Sequence, residues 1–190
     1  MRNLLCITPP TSFAVSVPDM RRHLRIDHED DDLDIEDALA AAIAHFDGRD
    51  GILGGVCLAR QTWRFEADAN GQGEIALPLG PVHDAADVSV AVIQADGSRE
   101  TFGETEGLRV IFDACGTRVT RRAGFPIGDR IEVTFTAGLD LPRIAEPIKS
   151  AIRLLAADLY ENREAQLVER VQENPALARL VRPYRMNLVA

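Results

Sequence analysis

The spacing of apolar positions changes rhythm twice along this chain. Up to about residue 60 it is helical. Ser16-Val17-Pro18-Asp19 reads as a helix start: serine can cap, proline suits the first turn, and aspartate favours the positive end of the dipole. Met20, Leu24 and Val17 would form the buried stripe of a short helix ending near Ile26. A second helix is predicted from about Asp31 to Asp47, because Ile35, Leu39, Ala42, Ile43 and Phe46 follow helical spacing. Gly48, Gly51, Gly54 and Gly55 then loosen or end it.

From Arg60 to Ala137 the rhythm shortens to strands. QTWRFEA, GEIALPLG, DVSVAVIQ, LRVIF, TRVTR and RIEVTFTAG are short and mostly alternating. Turn-formers separate them: Asn70-Gly71, Asp96-Gly97, Cys115-Gly116 and Gly128-Asp129. Asp96-Gly97 is the strongest hairpin signal. Helical spacing then returns. Pro147 suits a first helical turn, and Ile148, Ala151, Ile152, Leu155 and Leu159 make an apolar face. Glu161-Asn162-Arg163 marks its end or a bend, and a short helix over Pro175–Val181 stops at Pro183.

The expectation is an α+β protein: a small bundle of N-terminal and C-terminal helices with an inserted antiparallel β-sheet domain. Residues 1–59 form the N-terminal helical part, 60–138 the sheet, and 139–190 the C-terminal helices and tail. The last part would pack with 16–50 as one bundle. The 190 residues, 46% of them hydrophobic, suit this size of core. No apolar run approaches the ~18 residues of a membrane span. MRNLLCITPPTSFAVSV is interrupted by two prolines and forms no signal-peptide core, so synthesis in the cytoplasm is the default.

Charge alters the picture at one place. The chain carries −9, and residues 27–50 hold ten acids against one arginine, Arg49. The remainder is close to neutral. Such a chain is a poor candidate for general DNA binding, which needs clustered cations. The core of the acidic run is HEDDDLDIED, His28 to Asp37. As a calcium loop begun at Asp30 it would need a glycine where Ile35 stands and a glutamate where Ala41 stands. A loose divalent-ion site is one reading. The other is a set of carboxylates at a helix start, each favoured there by tenths of a kcal/mol (~0.3–1). On that reading the run is a solvated or partner-facing rim.

Other chemistry is sparse. His23, His28, His45 and His83 form no HExxH or HxH pattern. Cys6, Cys57 and Cys115 are widely spaced and read as buried reduced thiols. There is no GxSxG, NGQGE lacks the third glycine of a dinucleotide fingerprint, and GILGG lacks the Lys-Ser/Thr of a phosphate loop. Trp63 reads as core. No cofactor is expected, and an interaction protein is favoured over an enzyme.

Three stretches together resemble a known family. The first is VPDMRRHLRIDHEDDDLDIEDALAAAIAHFDG. The second is QTWRFE with LPLGPVHDAADVSV. The third is IEVTFTAGLDLPRIAEPIKSAIRLLAADLYENRE, the most specific of them. Their order and content resemble the head–tail connector (adaptor) proteins of long-tailed phages, in the version with an inserted β-sheet; gene transfer agents carry similar proteins. The resemblance spans about residues 16–185. It departs at Leu139, where an aromatic after Ala-Gly is commoner.

The resemblance implies a non-enzymatic ring of twelve copies in the neck of a virion or phage-like particle. The ring would lie beneath the portal protein, extend the channel through which packaged DNA passes without specific binding, and meet a stopper or tail component. No membrane is involved. Arg179, Arg182, Tyr184, Arg185, Met186 and Leu188 are the expected portal-binding residues. They lie in a tail with three arginines and no acid, extended after Pro183 and with few internal contacts. Glu29, Asp30, Asp31, Asp32 and Asp34 are expected at a subunit or ring interface or in the channel, where they would repel phosphates. The competing readings are a stopper or tail-completion protein and, in another class, a metal-dependent hydrolase using the 28–37 carboxylates.

Overall fold

A computed structural model describes residues 2–68, 74–103, 107–113, 116–121, 130–162 and 175–185. The chain is α+β. Its elements are β1 (Arg2–Thr8), α1 (Val17–Leu24), α2 (Asp32–Phe46), β2 (Gln61–Asp68), β3 (Glu74–Ala76), β4 (Val88–Ile93), β5 (Arg99–Phe102), β6 (Leu108–Asp113), β7 (Gly116–Arg121), β8 (Arg130–Ala137), α3 (Glu146–Glu161) and α4 (Pro175–Val181). They fall into two units. One holds the N-terminal segment through Pro10 with Arg60–Leu139; the other holds Thr11–Ala59 with the chain from Asp140.

In the helical unit α2 packs on α3, α1 touches both, and α4 packs on α3. The stripes anticipated from spacing are the core. Ile35, Leu39 and Phe46 of α2 are buried, as are Ile148, Ile152 and Leu155 of α3; Ile43 and Leu159 are half-buried at the margin. Ser16 caps α1, its Oγ accepting the Asp19 N–H at 3.2 Å. α1 ends at Leu24, two residues before the expected Ile26, where Arg25 takes the left-handed region at φ 62°. The glycine-rich stretch after α2 is not loose. Gly48 N–H donates to Val56 O at 2.8 Å, and Leu53, Cys57 and Leu58 are buried. A β-carbon at Gly51 would run into the carbonyl oxygens of Phe46 and Asp47, so the turn requires glycine there.

Among the described residues the sheet unit contains two antiparallel sheets, not one. The first has the order β1-β2-β8-β4-β5 and the second β3-β7-β6. Nor is the strand region only an insertion. β1 precedes all the helices and pairs with β2, so the expected N-terminal helical part begins with a strand. In the first sheet β8 alternates cleanly, while Val90, Ala91 and Val92 of β4 are buried in succession. Phe65, Ile131, Val133, Phe135, Val88, Val90 and Val92 are buried on one face, and Phe65 meets Phe135 edge-on at 6.0 Å. The Asp96-Gly97 signal marks a real hairpin between β4 and β5. Gly97 takes φ 84°, and Asp96 Oδ1 accepts the Ser98 N–H at 2.8 Å. GEIALPLG is a strand only over Glu74–Ala76; Leu77 and Leu79 are buried beyond it in a turn containing a cis Gly80–Pro81 bond. The Asn70-Gly71 and Gly128-Asp129 turns and Cys115 lie outside the described residues.

Candidate functional site: an acidic corner and an arginine end

The acidic corner is built by three helices of the helical unit. After the left-handed cap at Arg25 the chain turns and enters α2 at Asp32, so successive carboxylates gather at one helix start. They do not all face outward. Arg21 of α1 reaches across, its Nη1 3.2 Å from Glu29 Oε1 and its Nε 3.3 Å from Asp32 Oδ1. Tyr160, in the last turn of α3, donates from its hydroxyl to Asp31 Oδ2 at 2.8 Å. His28 lies 4.0 Å from both Asp30 and Asp31. Asp31 and Asp32 therefore join the helices, and the free rim is narrower than the run suggests. Glu29 and Asp30 project into water, with side chains 79% and 95% exposed. Leu33 stands among them, 78% exposed.

The sequence pattern passed over Arg21 and Tyr160. A signal for the second existed: Tyr160 follows Ile152 and Ala156 at helical spacing, on the border of the buried stripe. Among the described residues no group of three or more His, Cys, Asp or Glu is placed to hold a metal ion.

Two carboxylates elsewhere in the helical unit are held below their ordinary range. A hydrogen bond from the Ser16 hydroxyl at 2.8 Å, aided by Arg22 at 2.7 Å, lowers Asp19. Lys149, 3.2 Å away, lowers Glu146 at the start of α3. Both are local helix-end pairs on the surface, worth little individually.

The arginine end is more ordered than an extended tail. Leu177 and Val181 are buried, and Arg182–Tyr184 forms a single 3₁₀ turn. That turn delivers Arg185 Nε to the Ile52 carbonyl at 2.6 Å. Arg185 thus has an internal contact in the segment after Pro183, and the residues beyond it lie outside the described ones. Arg179, Arg182 and Tyr184 stay on the surface. Met186 and Leu188 lie outside the described residues.

The stretches carrying the family resemblance also meet. Asp31 of the first bonds Tyr160 of the third. In the sheet unit Gly138 N–H donates to Pro81 O, and His83 Nε2 lies against Gly138 O, both at 2.9 Å. The Pro-Leu-Gly-Pro turn and the Phe-Thr-Ala-Gly stretch are therefore one structural feature. Among the described residues no helix is long and apolar enough to cross a membrane.

Comparison with solved structures finds chains of gene transfer agent (GTA) particles. The chain is similar to one from the neck of an empty GTA particle computed with C6 symmetry: 25% identity, TM-score 0.76, covering 99% of this chain and 97% of that one. It is also similar to a chain from the virion of a native GTA particle, at 25% identity and TM-score 0.77 over 98% of this chain and 97% of that one. A chain from the neck of a native GTA particle computed with C12 symmetry shares the fold, at 22% identity and TM-score 0.70, covering 99% and 97%. No protein-family model and no curated protein matches the chain.

Proposed function

We propose that this chain is a structural head–tail adaptor in the neck of a phage-like particle, and not an enzyme. The observation that carries the reading is its likeness, over nearly its whole length, to chains from GTA necks and virions. In this reading twelve copies form a ring beneath the portal and carry the DNA channel toward a stopper or tail component. The C6 and C12 symmetry of the necks containing similar chains supports a ring. The helical bundle with its strand-rich second unit supports adaptor over stopper, which the resemblance associates with mostly β proteins.

Within that ring the exposed Arg179, Arg182 and Tyr184 would dock on the portal together with Met186 and Leu188. Arginine's fork of donors suits carboxylates and carbonyls on the portal surface, and many weak copies act multivalently. Arg185 plays a different part, bracing the docking segment on Ile52. Glu29, Asp30 and Asp34 would face a neighbouring subunit or ring, while Asp31 and Asp32 shape the corner from within.

The test uses tailless heads from a producing strain that lacks this chain. Purified protein is added and the portal vertex imaged by cryo-electron microscopy. A ring attached directly to the portal is expected. Attachment only after another neck protein has been added would favour the stopper reading instead. A truncation removing residues 183–190 should leave the heads bare; wild-type occupancy by that variant would remove the tail as the anchor.

A further inference from the structure

Among the described residues one edge of the five-stranded sheet carries no further strand: β1 has β2 on one side and none on the other. Its outer N–H and C=O groups are a template for another strand, and proteins usually blunt such edges with charges, prolines or bulges. A charge, Arg2, opens the strand and Pro9-Pro10 follow its end; between them Asn3 to Thr8 carry no charge and no proline, and Leu5 and Ile7 are 54% and 46% exposed. Bulges are present. The register slips between Arg2 and Leu5 and again between Cys6 and Thr8, with Asn3 at φ 53° in the first slip. Rather than closing the edge, the first slip adjoins a cavity of about 410 Å³ lined by Asn3, Leu4, Leu5, Arg64, Glu66 and Glu132.

Both carboxylates of that lining are paired with arginines outside it. Glu132 lies 3.2 Å from Arg99, and Glu66 lies 3.7 Å from Arg130. The guanidinium of Arg64, a half-buried residue of β2 opposite Leu5, makes no hydrogen bond or ion pair among the described residues. A guanidinium held at a cavity wall with its donors unused suits an incoming carboxylate.

The geometry points to a strand-docking site on the β1 edge, which takes an extended apolar segment of a partner protein carrying one carboxylate. The backbone ladder along β1 would supply most of the affinity, Leu5 and Ile7 would cover the partner's apolar side chains, and Arg64 would select for the acid. The site stands within the sheet unit alone and does not rest on the neck reading.

The probe is a short capped peptide of alternating threonine and valine with a central glutamate, titrated into isotope-labelled full-length protein and followed by nuclear magnetic resonance. Saturable shifts of β1 and β2 amides are expected. Replacing the central glutamate with glutamine should weaken binding about tenfold, the usual scale of a lost charge-assisted hydrogen bond. Arg64→Gln should weaken the glutamate peptide equally, and Arg64→Lys should restore part of the loss. The proposal is overturned if β1 amides do not move at millimolar peptide, or if glutamate, glutamine and lysine peptides bind alike. Should Arg64→Gln perturb the fold, the peptide series alone carries the test.

Discussion

The two units handle charge in opposite ways. In the sheet unit cations sit against carboxylates: Arg60 with Asp87, Arg99 with Glu132, Arg130 with Glu66, and Arg118 with both Glu74 and Asp113. In the helical unit carboxylates crowd one corner, where Arg21 reaches two of them and Glu29 and Asp30 extend into water. The cause is geometric. The strand register sets Glu66 opposite Glu132, and long arginines a diagonal or a strand away, Arg130 and Arg99, reach in to neutralise them. A helix start gathers successive residues at one end, and the dipole tolerates their repulsion. A partner would therefore meet a directional anionic field at the helical corner. The paired charges of the sheet unit would present a weaker field.

If that contrast is right, charge is not what holds the helical unit together, and packing is. Leu155→Ala removes a buried side chain from the α2–α3 interface and should cost roughly 2–5 kcal/mol in urea unfolding. A loss below about half a kcal/mol would mean that this face is not core.

A smaller pair of substitutions divides the acidic corner itself. Tyr160→Phe leaves Asp31 without its hydroxyl donor and should cost about 1 kcal/mol. Asp30→Asn, on a side chain 95% exposed, should change stability by less than about 0.5 kcal/mol. Equal effects would erase the distinction between the inward and outward acids.

The smallest effect concerns pH. Burial lowers the His45 imidazole below its ordinary value of 6.5. The unfolded chain then takes up a proton that the folded chain resists, so stability is full above pH 6.5 and declines as pH falls below it. Urea midpoints compared above and below that pH should show a decline that His45→Gln reduces. An identical decline in the variant would assign the pH dependence to other groups.

Helix stripes were legible because each is a local repeat. Ile35, Leu39 and Phe46, like Ile148, Ile152 and Leu155, announce a buried face whatever they pack against. The Asp96-Gly97 hairpin was legible for the same reason, since its left-handed glycine is a property of the turn. β1 was not. NLLCIT reads as a short apolar stretch, and only pairing with β2 makes it a strand. The acidic run was legible as a composition but not as an arrangement, because the partners that sort its members come from α1 and from the far end of α3.

The amino-acid sequence by itself determined the helix–strand–helix rhythm, the core stripes and the concentration of acid at the start of α2. These follow from propensity, periodicity and charge count, all set over a few neighbouring residues. Only the tertiary structure decided which carboxylates turn inward, that Arg185 braces itself on Ile52, that the described strands divide into two sheets, and that among the described residues the Arg64 guanidinium forms no ion pair beside the β1 edge. Each of these depends on contacts between residues far apart in the chain, and local spacing cannot specify a partner it does not contain.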